Sequence, residues 1–511
     1  MDFLERDDSQ VAAFFANRTV LITGGTGFIG KLLIEKLLRS CPAIGQIFVI
    51  IREKRGASVQ QRLNSILSEQ IFEGLLSRRP EARSRVSALA GDIEKRFLGL
   101  SDKDLRRVQS EVEIVIHSAA TVKFNEPLVA AVRVNVGATA NMVELCRNLQ
   151  KLCSFVHVST AYVNVNQPSE PRIKECIYPF DLRADDLLEL TARLPPAAME
   201  AATPHLLGAY PNTYTFTKRL AEELVFESGL PAAIVRPSVV VATAKEPFPG
   251  WIDNINGPTG FFLALGTGSL TAVYANSNTK VDLIPADLVV NCIIVAAFKR
   301  ATTKTDRRNR SVPIIHSCLG RVMSLSGQEM QLCSYRIVAT HPLIYCIRFP
   351  HTVVCSNLWE FRLRMLLFHR LPMEIADFLL CRVAGKQLPL RKLYARMTAG
   401  LDALSFFFHQ DWDFMTSSAM EMQESLGDTD RYLFPIVASD DFKWDYFLKV
   451  YLFSIKYFIL HEDLTTTAAA LAWRKKLAVI HYGSHLLTAF IVIKLLVSFI
   501  EFIIGFNMYI F

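Results

Sequence analysis

The stretch Val20-Leu-Ile-Thr-Gly-Gly-Thr-Gly-Phe-Ile-Gly30 decides the fold of this chain. A short apolar run leads into three glycines spaced G-x-x-G-x-x-G, and an apolar helical pattern follows at once over 31–40. Such glycines permit a tight turn, a close approach of the backbone to a pyrophosphate, and packing of helix on strand. The helix N-terminus adds N–H groups and a favourable dipole for phosphate. We therefore predict a dinucleotide site that comprises Thr23, Gly24, Thr26, Gly27, Phe28, Ile29 and Gly30.

Further apolar runs alternate with helical patterns along the first 300 residues. The strands that we predict after the first are 47–51, 86–90, 114–116, 155–158 and 232–235. Continuous apolar strands are typical of strands buried on both faces. The alternation predicts an α/β fold, a Rossmann-type doubly wound parallel sheet with right-handed crossovers. Ligands bind at the carboxyl ends of the strands in such sheets.

The second predicted strand ends in Arg52-Glu53-Lys54-Arg55. An acidic residue at such a strand end is typical of NAD sites, whereas a cationic residue accommodates the 2′-phosphate of NADP. Arg52 and Lys54 therefore favour NADPH, and Arg55 is a further contributor. Glu53, an acidic residue, is the one feature of this stretch that favours NAD instead. An ordinary charged surface loop is the alternative.

Asp92 and Ile93 follow the third predicted strand directly after a glycine. In a doubly wound sheet this turn meets the adenine ring, and the Asp92 carboxylate can accept a hydrogen bond from the adenine amino group. Aspartate is also common in turns for local reasons. We predict that both residues bind the cofactor, with an ordinary turn as the alternative.

Tyr214 and Lys218 form the sharpest catalytic signal, because a spacing of four places both side chains on one helix face. A free phenol has a pKa of about 10, and a nearby ammonium is expected to lower that pKa. Tyr214 then donates a proton to a carbonyl oxygen, and Lys218 also holds the nicotinamide ribose. Thr160 is the preferred hydroxyl partner of Tyr214 and Ser159 the alternate, although both residue types also cap helices.

Overall composition limits the classes of partner. The chain has 511 residues, 51% of them hydrophobic, and a formal net charge of +7. A mild positive charge without dense basic blocks suits an anionic cofactor or an acidic membrane surface, and it argues against nucleic-acid binding. The ten cysteines include no C-x-x-C pair, so we predict neither a metal site nor a disulfide framework. His117 and His157 are read as structural residues at strand ends.

The C-terminal third is apolar and mostly helical. Residues 357–383 mix large apolar and basic side chains in an interfacial pattern. The final segment Leu486–Phe511 contains only Lys494 and Glu501 as charges. As a helix it spans about 39 Å, enough for a hydrocarbon core of ~30 Å. We predict a transmembrane segment, with a hairpin or an interfacial tail as the alternative.

Four consecutive regions are predicted along the chain. They are a cofactor-binding domain at 1–300, a connecting region at 301–350, a helical domain at 351–465 and a membrane-anchoring tail at 484–511. The connecting region begins with a basic stretch that includes Arg307, Arg308 and Arg310. Basic residues at 474–476 precede the tail, and the positive-inside bias places the catalytic domain in the cytosol.

Taken together, these residues resemble the extended short-chain dehydrogenases/reductases, and more closely the alcohol-forming fatty acyl-CoA reductases of the male sterility type. The resemblance rests on the stretch quoted first and on three further motifs. These are His117-Ser-Ala-Ala-Thr-Val-Lys-Phe124, Val158-Ser-Thr-Ala-Tyr162 and Pro211-Asn-Thr-Tyr-Thr-Phe-Thr-Lys218. The long insertion between Thr160 and Tyr214 also fits, as does Phe442-Lys-Trp-Asp-Tyr-Phe447 in the helical domain.

The resemblance implies reduction of a long-chain or very-long-chain acyl-CoA to a primary alcohol with two NADPH, at a membrane of the endoplasmic reticulum or peroxisome. Independently of the resemblance, the apolar composition of residues 340–460 predicts that this helical region forms a tunnel or a cover for the acyl chain. Two other functions stay open: an extended reductase or epimerase acting on a nucleotide sugar or sterol, and a non-catalytic, membrane-anchored cofactor-binding module. Chain length, saturation and oligomeric state are not fixed by the sequence.

Overall fold

The computed structural model describes residues 8–54, 56–167, 172–303, 311–321, 323–382 and 390–508. Arg55, the basic stretch with Arg307, Arg308 and Arg310, and residues 509–511 of the predicted tail lie outside this description.

The chain forms two compact units, each assembled from three segments. The first unit comprises Met1–Asn254, Asn278–Gly327 and Thr398–Phe447, and the second comprises Ile255–Ser277, Gln328–Met397 and Leu448–Phe511. The predicted division into consecutive regions at 1–300, 301–350, 351–465 and 484–511 stays a prediction.

Thirteen strands occur in the described chain. They are β1 (Thr19–Thr23), β2 (Gln46–Ile51), β3 (Val86–Ala90), β4 (Val112–His117), β5 (Ser154–Val158), β6 (Ala232–Pro237), β7 (Val239–Val241), β8 (Ala272–Tyr274), β9 (Lys280–Val281), β10 (Leu283–Pro285), β11 (Ile314–Ser317), β12 (Leu325–Ser326) and β13 (Val353–Cys355).

Twenty α-helices accompany them. They are α1 (Gln10–Phe15), α2 (Phe28–Ser40), α3 (Val59–Leu67), α4 (Gln70–Arg78), α5 (Asp102–Glu111), α6 (Leu128–Ala131), α7 (Ala138–Arg147), α8 (Ala184–Arg193), α9 (Pro196–Leu207), α10 (Thr213–Phe226), α11 (Pro258–Gly266), α12 (Ala286–Thr302), α13 (Gly327–Thr340), α14 (Leu358–Met365), α15 (Leu371–Arg382), α16 (Leu390–His409), α17 (Ser417–Glu424), α18 (Asp428–Leu433), α19 (Trp444–Ser454) and α20 (Thr467–Met508). Short 3-10 turns lie at Pro80–Arg85, Arg96–Gly99, Ala161–Asn164 and Leu464–Thr466, and π turns at Val132–Gly137, Leu366–Arg370 and Ile455–Ile459.

A seven-stranded sheet of order β3-β2-β1-β4-β5-β6-β11 organises the first unit. All six neighbouring pairs are parallel. The chain builds outward from β1 in one direction and then, from β4, in the other, so the order reverses between β1 and β4. In doubly wound sheets this reversal opens a crevice for ligands at the carboxyl ends of the strands. The predicted α/β class is therefore confirmed.

Burial of both sheet faces explains the strand sequences. Every residue of β1 is buried, as is every residue of β6. Parallel strands covered by helices on both sides read as continuous apolar runs because no position faces water. The structure extends the predicted strands by one or two residues at most ends, and α2 begins at Phe28, inside the glycine motif.

Helices dominate the second unit. One apolar cluster of this unit comprises Val338, Leu343, Cys346, Leu452 and Leu477. The short strands β8 and β13 pair in parallel within the same unit. Their register joins Val353 to Ala272 and Cys355 to Tyr274.

Two helical stretches of the described chain are long and apolar enough to cross a membrane. One, Leu128–Arg147, is more than half buried and belongs to the core of the first unit. The other covers Thr467–Glu501 of α20, and none of its apolar window is buried. The described part of the predicted apolar tail, up to Met508, is thus part of one long helix, and the apolar side chains described there are exposed.

Candidate active site

The glycine turn brings the end of β1, the start of α2 and the loop after β4 into direct contact. Gly24 has a φ of +75°, and a Cβ on it would lie 2.8 Å from the Ala119 nitrogen. A Cβ on Gly30 would lie 2.2 Å from the Gly24 carbonyl oxygen. No side chain can occupy either position without moving the backbone.

The start of α2 fits a phosphate group. Gly27 is the N-cap residue, and no side chain caps the helix there. The first N–H groups of α2 are therefore left for a ligand, with the helix dipole adding positive potential. Phe28, the first residue of α2, stacks on Trp251 at 5.1 Å between ring centroids, so its ring holds the helix start in place. The cradle suits the pyrophosphate of a dinucleotide.

Thr23 and His117 join the ends of β1 and β4. The Thr23 Oγ1 lies 2.7 Å from His117 Nδ1, and His117 Nε2 lies 3.2 Å from Thr139 Oγ1. Burial lowers the pKa of His117 to about 3, so the ring is neutral. Both ring nitrogens have a hydroxyl partner, which agrees with the structural role expected for this histidine.

Basic side chains gather at the end of β2. The Arg52 guanidinium contacts Glu94 at 3.1 Å, and Arg133 contacts the other oxygen of Glu94 at 2.6 Å. Arg62, on α3, donates to the Arg52 carbonyl oxygen. Lys54 is exposed. Arg62 was not predicted, since its position on α3 reads as an ordinary surface residue of an amphipathic helix.

The turn after β3 is built partly by its own aspartate. The Asp92 Oδ1 accepts from the Glu94 N–H at 3.1 Å, and the Asp92 N–H donates to the Leu98 carbonyl at 2.7 Å. Ile93 is buried, and its carbonyl accepts from Asn141 at 2.9 Å. The local hydrogen bond explains the aspartate as a turn residue, while Glu94 links this turn to Arg52 at the end of β2. The cofactor role of Asp92 and Ile93 stays a prediction.

Ser159 and Thr160 lie at the carboxyl end of β5, as predicted. The Ser159 hydroxyl is buried and has no hydrogen-bond partner among the described residues. Thr160 accepts from the Tyr162 N–H at 3.3 Å and so caps the 3-10 turn that follows. A buried hydroxyl without a partner is costly in a folded chain unless a ligand or water completes it. This orphan hydroxyl supports a ligand site at the strand end.

Tyr214 lies in the first turn of α10, with its phenol beside Thr160. Burial raises the pKa of Tyr214 to about 12, and hydrogen bonding to the Thr160 hydroxyl lowers it by less. The expectation that Lys218 brings this pKa down is wrong for this structure, because loss of hydration outweighs the effects that favour the phenolate. Phe124 stacks on the Tyr214 ring at 5.8 Å. The phenol therefore stays protonated at neutral pH.

Lys218 is almost fully buried on the same face of α10. Its ammonium donates to the Val158 carbonyl at 2.6 Å and lies 3.3 Å from His157 Nε2. Burial lowers the pKa of Lys218 to about 8, and the Glu222 carboxylate partly opposes this. The proximity of His157 to Lys218 was not predicted, since the two residues are 61 positions apart.

Asn135 is a further residue that the sequence did not reveal. Its Oδ1 accepts from the Thr121 N–H at 2.9 Å, and its Nδ2 lies 2.9 Å from the Thr217 Oγ1 of α10. This amide joins the loop after β4 to the helix that carries Tyr214 and Lys218. Its place within a π turn, where the helix widens, was the feature that periodicity could not detect.

Fold and site together define an oxidoreductase that depends on a nicotinamide dinucleotide. The phosphate cradle lies where the strand order reverses, between β1 and β4, and the Thr160 hydroxyl, the Tyr214 phenol and the Lys218 ammonium lie at the end of β5. Two family models described as "Male sterility protein" match residues 22–293 and 368–462. The chain is 32% identical over 493 residues to human fatty acyl-CoA reductase 1, covering 96% of this chain and 93% of that one. It is 33% identical to bovine fatty acyl-CoA reductase 2, covering 93% and 91%. This chain belongs to the male sterility protein family of fatty acyl-CoA reductases.

Solved structures agree on the fold. The terminal reductase domain of the myxalamid biosynthetic pathway superimposes with a TM-score of 0.58 at 19% identity, covering 86% of this chain and 91% of that one. The reductase domain of a nonribosomal peptide synthetase from Mycobacterium tuberculosis gives 0.58 at 19% identity, covering 89% and 96%.

Replacing Gly30 with alanine tests the cradle. Because the new Cβ would meet backbone atoms that cannot yield, we expect Gly30→Ala to lose NADPH and NADH binding in fluorescence titration, together with a lower melting temperature. Gly74→Ala is the matched control, since a Cβ there meets nothing within 4 Å. It lies inside α4, where alanine is favoured by about 0.5–1 kcal/mol. Unchanged nucleotide affinity in Gly30→Ala would contradict the assignment.

Proposed function

We propose that this chain reduces long-chain or very-long-chain fatty acyl-CoA to a primary fatty alcohol with NADPH, releasing CoA. The observation that carries the proposal is the Tyr214 phenol, kept protonated by burial, beside the Thr160 hydroxyl at the end of β5. The curated relatives named fatty acyl-CoA reductase support the substrate class along nearly the whole chain.

The chain's own residues supply proton transfer and charge stabilisation. Bound NADPH supplies the hydride in each of two reductions. In the first, Tyr214 and Thr160 donate hydrogen bonds to the thioester carbonyl oxygen as negative charge develops there, and Tyr214 then gives this oxygen its proton. The resulting thiohemiacetal loses the thiol of CoA to leave an aldehyde. In the second, Tyr214 gives its proton to the aldehyde oxygen, which becomes the alcohol hydroxyl.

Aromatic side chains lie on one side of the Tyr214 ring and suit an apolar substrate. Phe407 lies 5.5 Å from Phe124 and 5.2 Å from Tyr162, measured between ring centroids. With Phe124 stacked on Tyr214, these rings form an apolar wall at the reacting group. A water-poor wall strengthens the hydrogen bonds of Tyr214 and Thr160 to the developing oxyanion. It would also contact the first carbons of a fatty acyl chain.

Three basic residues support NADPH over NADH. Arg52, Lys54 and Arg62 approach the end of β2, where the 2′-phosphate of NADP is accommodated in doubly wound folds. Glu94 pairs with Arg52 and keeps its guanidinium near this strand end. A phosphate dianion would compete with Glu94 for the same donors.

We further propose that α20 anchors the enzyme in a membrane with the catalytic unit in the cytosol. The described side chains of its apolar stretch are exposed, and Arg474, Lys475 and Lys476 precede this stretch. Basic residues are retained on the cytosolic side of spanning helices. The membrane is that of the endoplasmic reticulum or peroxisome, where long acyl chains partition into the bilayer.

The activity is tested with the full-length chain in detergent or vesicles, palmitoyl-CoA or a longer acyl-CoA, and NADPH. We expect the primary alcohol in gas chromatography, with two NADPH oxidised for each alcohol formed. Absence of alcohol, with turnover of a nucleotide sugar or a sterol instead, would replace this proposal by the alternative reductase or epimerase. If the chain bound the cofactor but turned over none of these substrates, the non-catalytic cofactor-binding module would be the better description of the protein.

Removing the Tyr214 hydroxyl is expected to abolish the proton donor while the ring packing stays. We expect Tyr214→Phe to lower kcat by about a hundredfold or more, with little change in NADPH affinity. Tyr210→Phe serves as the control, because Tyr210 is a nearby tyrosine that is buried in the core cluster around Phe216. Equal alcohol production by wild type and Tyr214→Phe would remove Tyr214 from the mechanism.

Arg52→Ala tests the cofactor preference. Loss of one charge-assisted contact to the 2′-phosphate is expected to raise KM for NADPH about tenfold and to leave KM for NADH unchanged. Arg183→Ala is the control, since Arg183 is an exposed arginine with an ion pair to Glu227. A parallel rise of both KM values would show that Arg52 acts on something other than the 2′-phosphate.

The depressed pKa of Lys218 predicts an alkaline loss of activity. Because burial lowers this pKa to about 8, the ammonium is mostly charged at pH 7 and loses its proton as pH rises above 8. We expect kcat/KM for NADPH to fall about tenfold per pH unit above that point. Tyr214, with a pKa of about 12, does not titrate there. A profile that stays flat up to pH 10, after subtraction of uncatalysed thioester hydrolysis, would contradict the role of Lys218.

A further inference from the structure

A row of large apolar side chains is exposed along α14, the following π turn and α15 of the second unit. The row consists of Trp359, Leu363, Leu367, Leu371, Ile375 and Leu379, with exposed fractions of 75%, 55%, 45%, 50%, 52% and 50%. Apolar patches of this extent on a protein surface mark an interaction site.

The π turn keeps this row on one side of the helix. Its members repeat every four residues, and in a regular α-helix each such step would turn the row by about 40°. Five steps would carry it through roughly 200°, more than halfway round the helix. The π turn Leu366–Arg370 accommodates one extra residue, which turns the later positions back by about 100°. The π turn therefore lies where a regular helix would begin to carry the later side chains of the row away from the side that Trp359 and Leu363 occupy.

The opposite face attaches the same helix to the second unit. Met365 and His369 are buried there. The His369 Nε2 lies 2.7 Å from the Thr271 Oγ1 and accepts from the Thr271 N–H at 3.2 Å. With its inner face fixed in this way, the helix presents the exposed row outward as a stable feature of the fold.

The row adjoins the place where α20 becomes fully exposed. The Phe368 ring, in the π turn, lies 6.4 Å from the His485 ring of α20. Phe349 stacks on His481 one turn earlier, at 5.3 Å. Leu486, the next residue after His485, is 73% exposed and begins the apolar stretch of α20. The exposed row and the exposed stretch of α20 thus meet within the same unit.

Basic side chains border this apolar surface. Arg362 and Arg370 are exposed on the row's helix, and the Arg362 guanidinium lies 5.6 Å from the centre of the Trp359 ring. Arg474 lies over Phe349 at 5.1 Å, with Lys475 beside it in the chain. Tryptophan with flanking arginine is the arrangement that settles at the headgroup level of a bilayer and attracts anionic lipids.

We propose that this row inserts into the headgroup and upper acyl region of an anionic phospholipid bilayer, as a second membrane contact beside α20. The occupant is a bilayer rather than a protein partner because the row is continuous with the apolar surface of α20 and is bordered by basic residues. The inference rests on the proposed anchoring of α20 in a membrane. A helix that lies in the plane of the membrane interface buries its apolar face to about 5–10 Å at the boundary between headgroups and acyl chains.

The test uses the full-length chain in vesicles of phosphatidylcholine and phosphatidylserine that contain a phospholipid with a diazirine in its acyl chain. After illumination, crosslinked peptides are mapped by mass spectrometry. We expect crosslinks both in the segment 358–379 and in the apolar stretch of α20. In a variant carrying Leu363→Ser, Leu367→Ser and Leu371→Ser, crosslinking of the segment should fall by roughly threefold or more, with α20 unaffected.

Leu194→Ser is the matched control, because Leu194 is an exposed leucine of the first unit. It should leave both sets of crosslinks unchanged. Crosslinks confined to α20 in the wild-type chain would overturn this inference while the proposed anchor stands. Crosslinks in neither region would overturn the anchor as well. The crosslinking pattern does not depend on enzyme turnover. Failure of the proposed acyl-CoA reduction would therefore leave the membrane inference untouched.

Discussion

The close approach of three backbone segments at the glycine turn is the constraint on which the catalytic unit depends. A Cβ on Gly30 would come within 2.2 Å of the Gly24 carbonyl oxygen, and one on Gly24 would meet the loop after β4. Because neither position carries a side chain, α2 begins directly against the sheet where the strand order reverses. The phosphate cradle, the hydroxyls at the end of β5 and the start of α10 are all placed relative to that point.

Burial acts in opposite directions on the two titratable groups of α10. It holds the Tyr214 pKa high, near 12, and the Lys218 pKa low, near 8. Both shifts follow from the loss of hydration, which disfavours whichever form is charged. The phenol is thereby kept as a proton donor, and the ammonium is held by the Val158 carbonyl with only a small margin against deprotonation. The proposed chemistry uses this difference, and the apolar wall of Phe124 and Phe407 helps to maintain it.

A membrane gives a common reason for the unusual surface of the second unit. An exposed apolar helix face is unfavourable in water, and so is the exposed stretch of α20. The π turn Leu366–Arg370 disturbs regular helix geometry and keeps the exposed row on one side. A bilayer would cover both surfaces and would also concentrate the long acyl chains proposed as substrate.

The sequence by itself determined the glycine turn, the parallel sheet and the spacing of Tyr214 and Lys218. These depend on local rules, namely turn chemistry, the period of apolar residues and the pitch of a helix. Only the tertiary structure decided that His157 lies beside Lys218, that Asn135 joins the loop after β4 to α10, and that burial reverses the expected shift of the Tyr214 pKa. Those features depend on contacts between distant segments and on loss of hydration, which no local pattern contains.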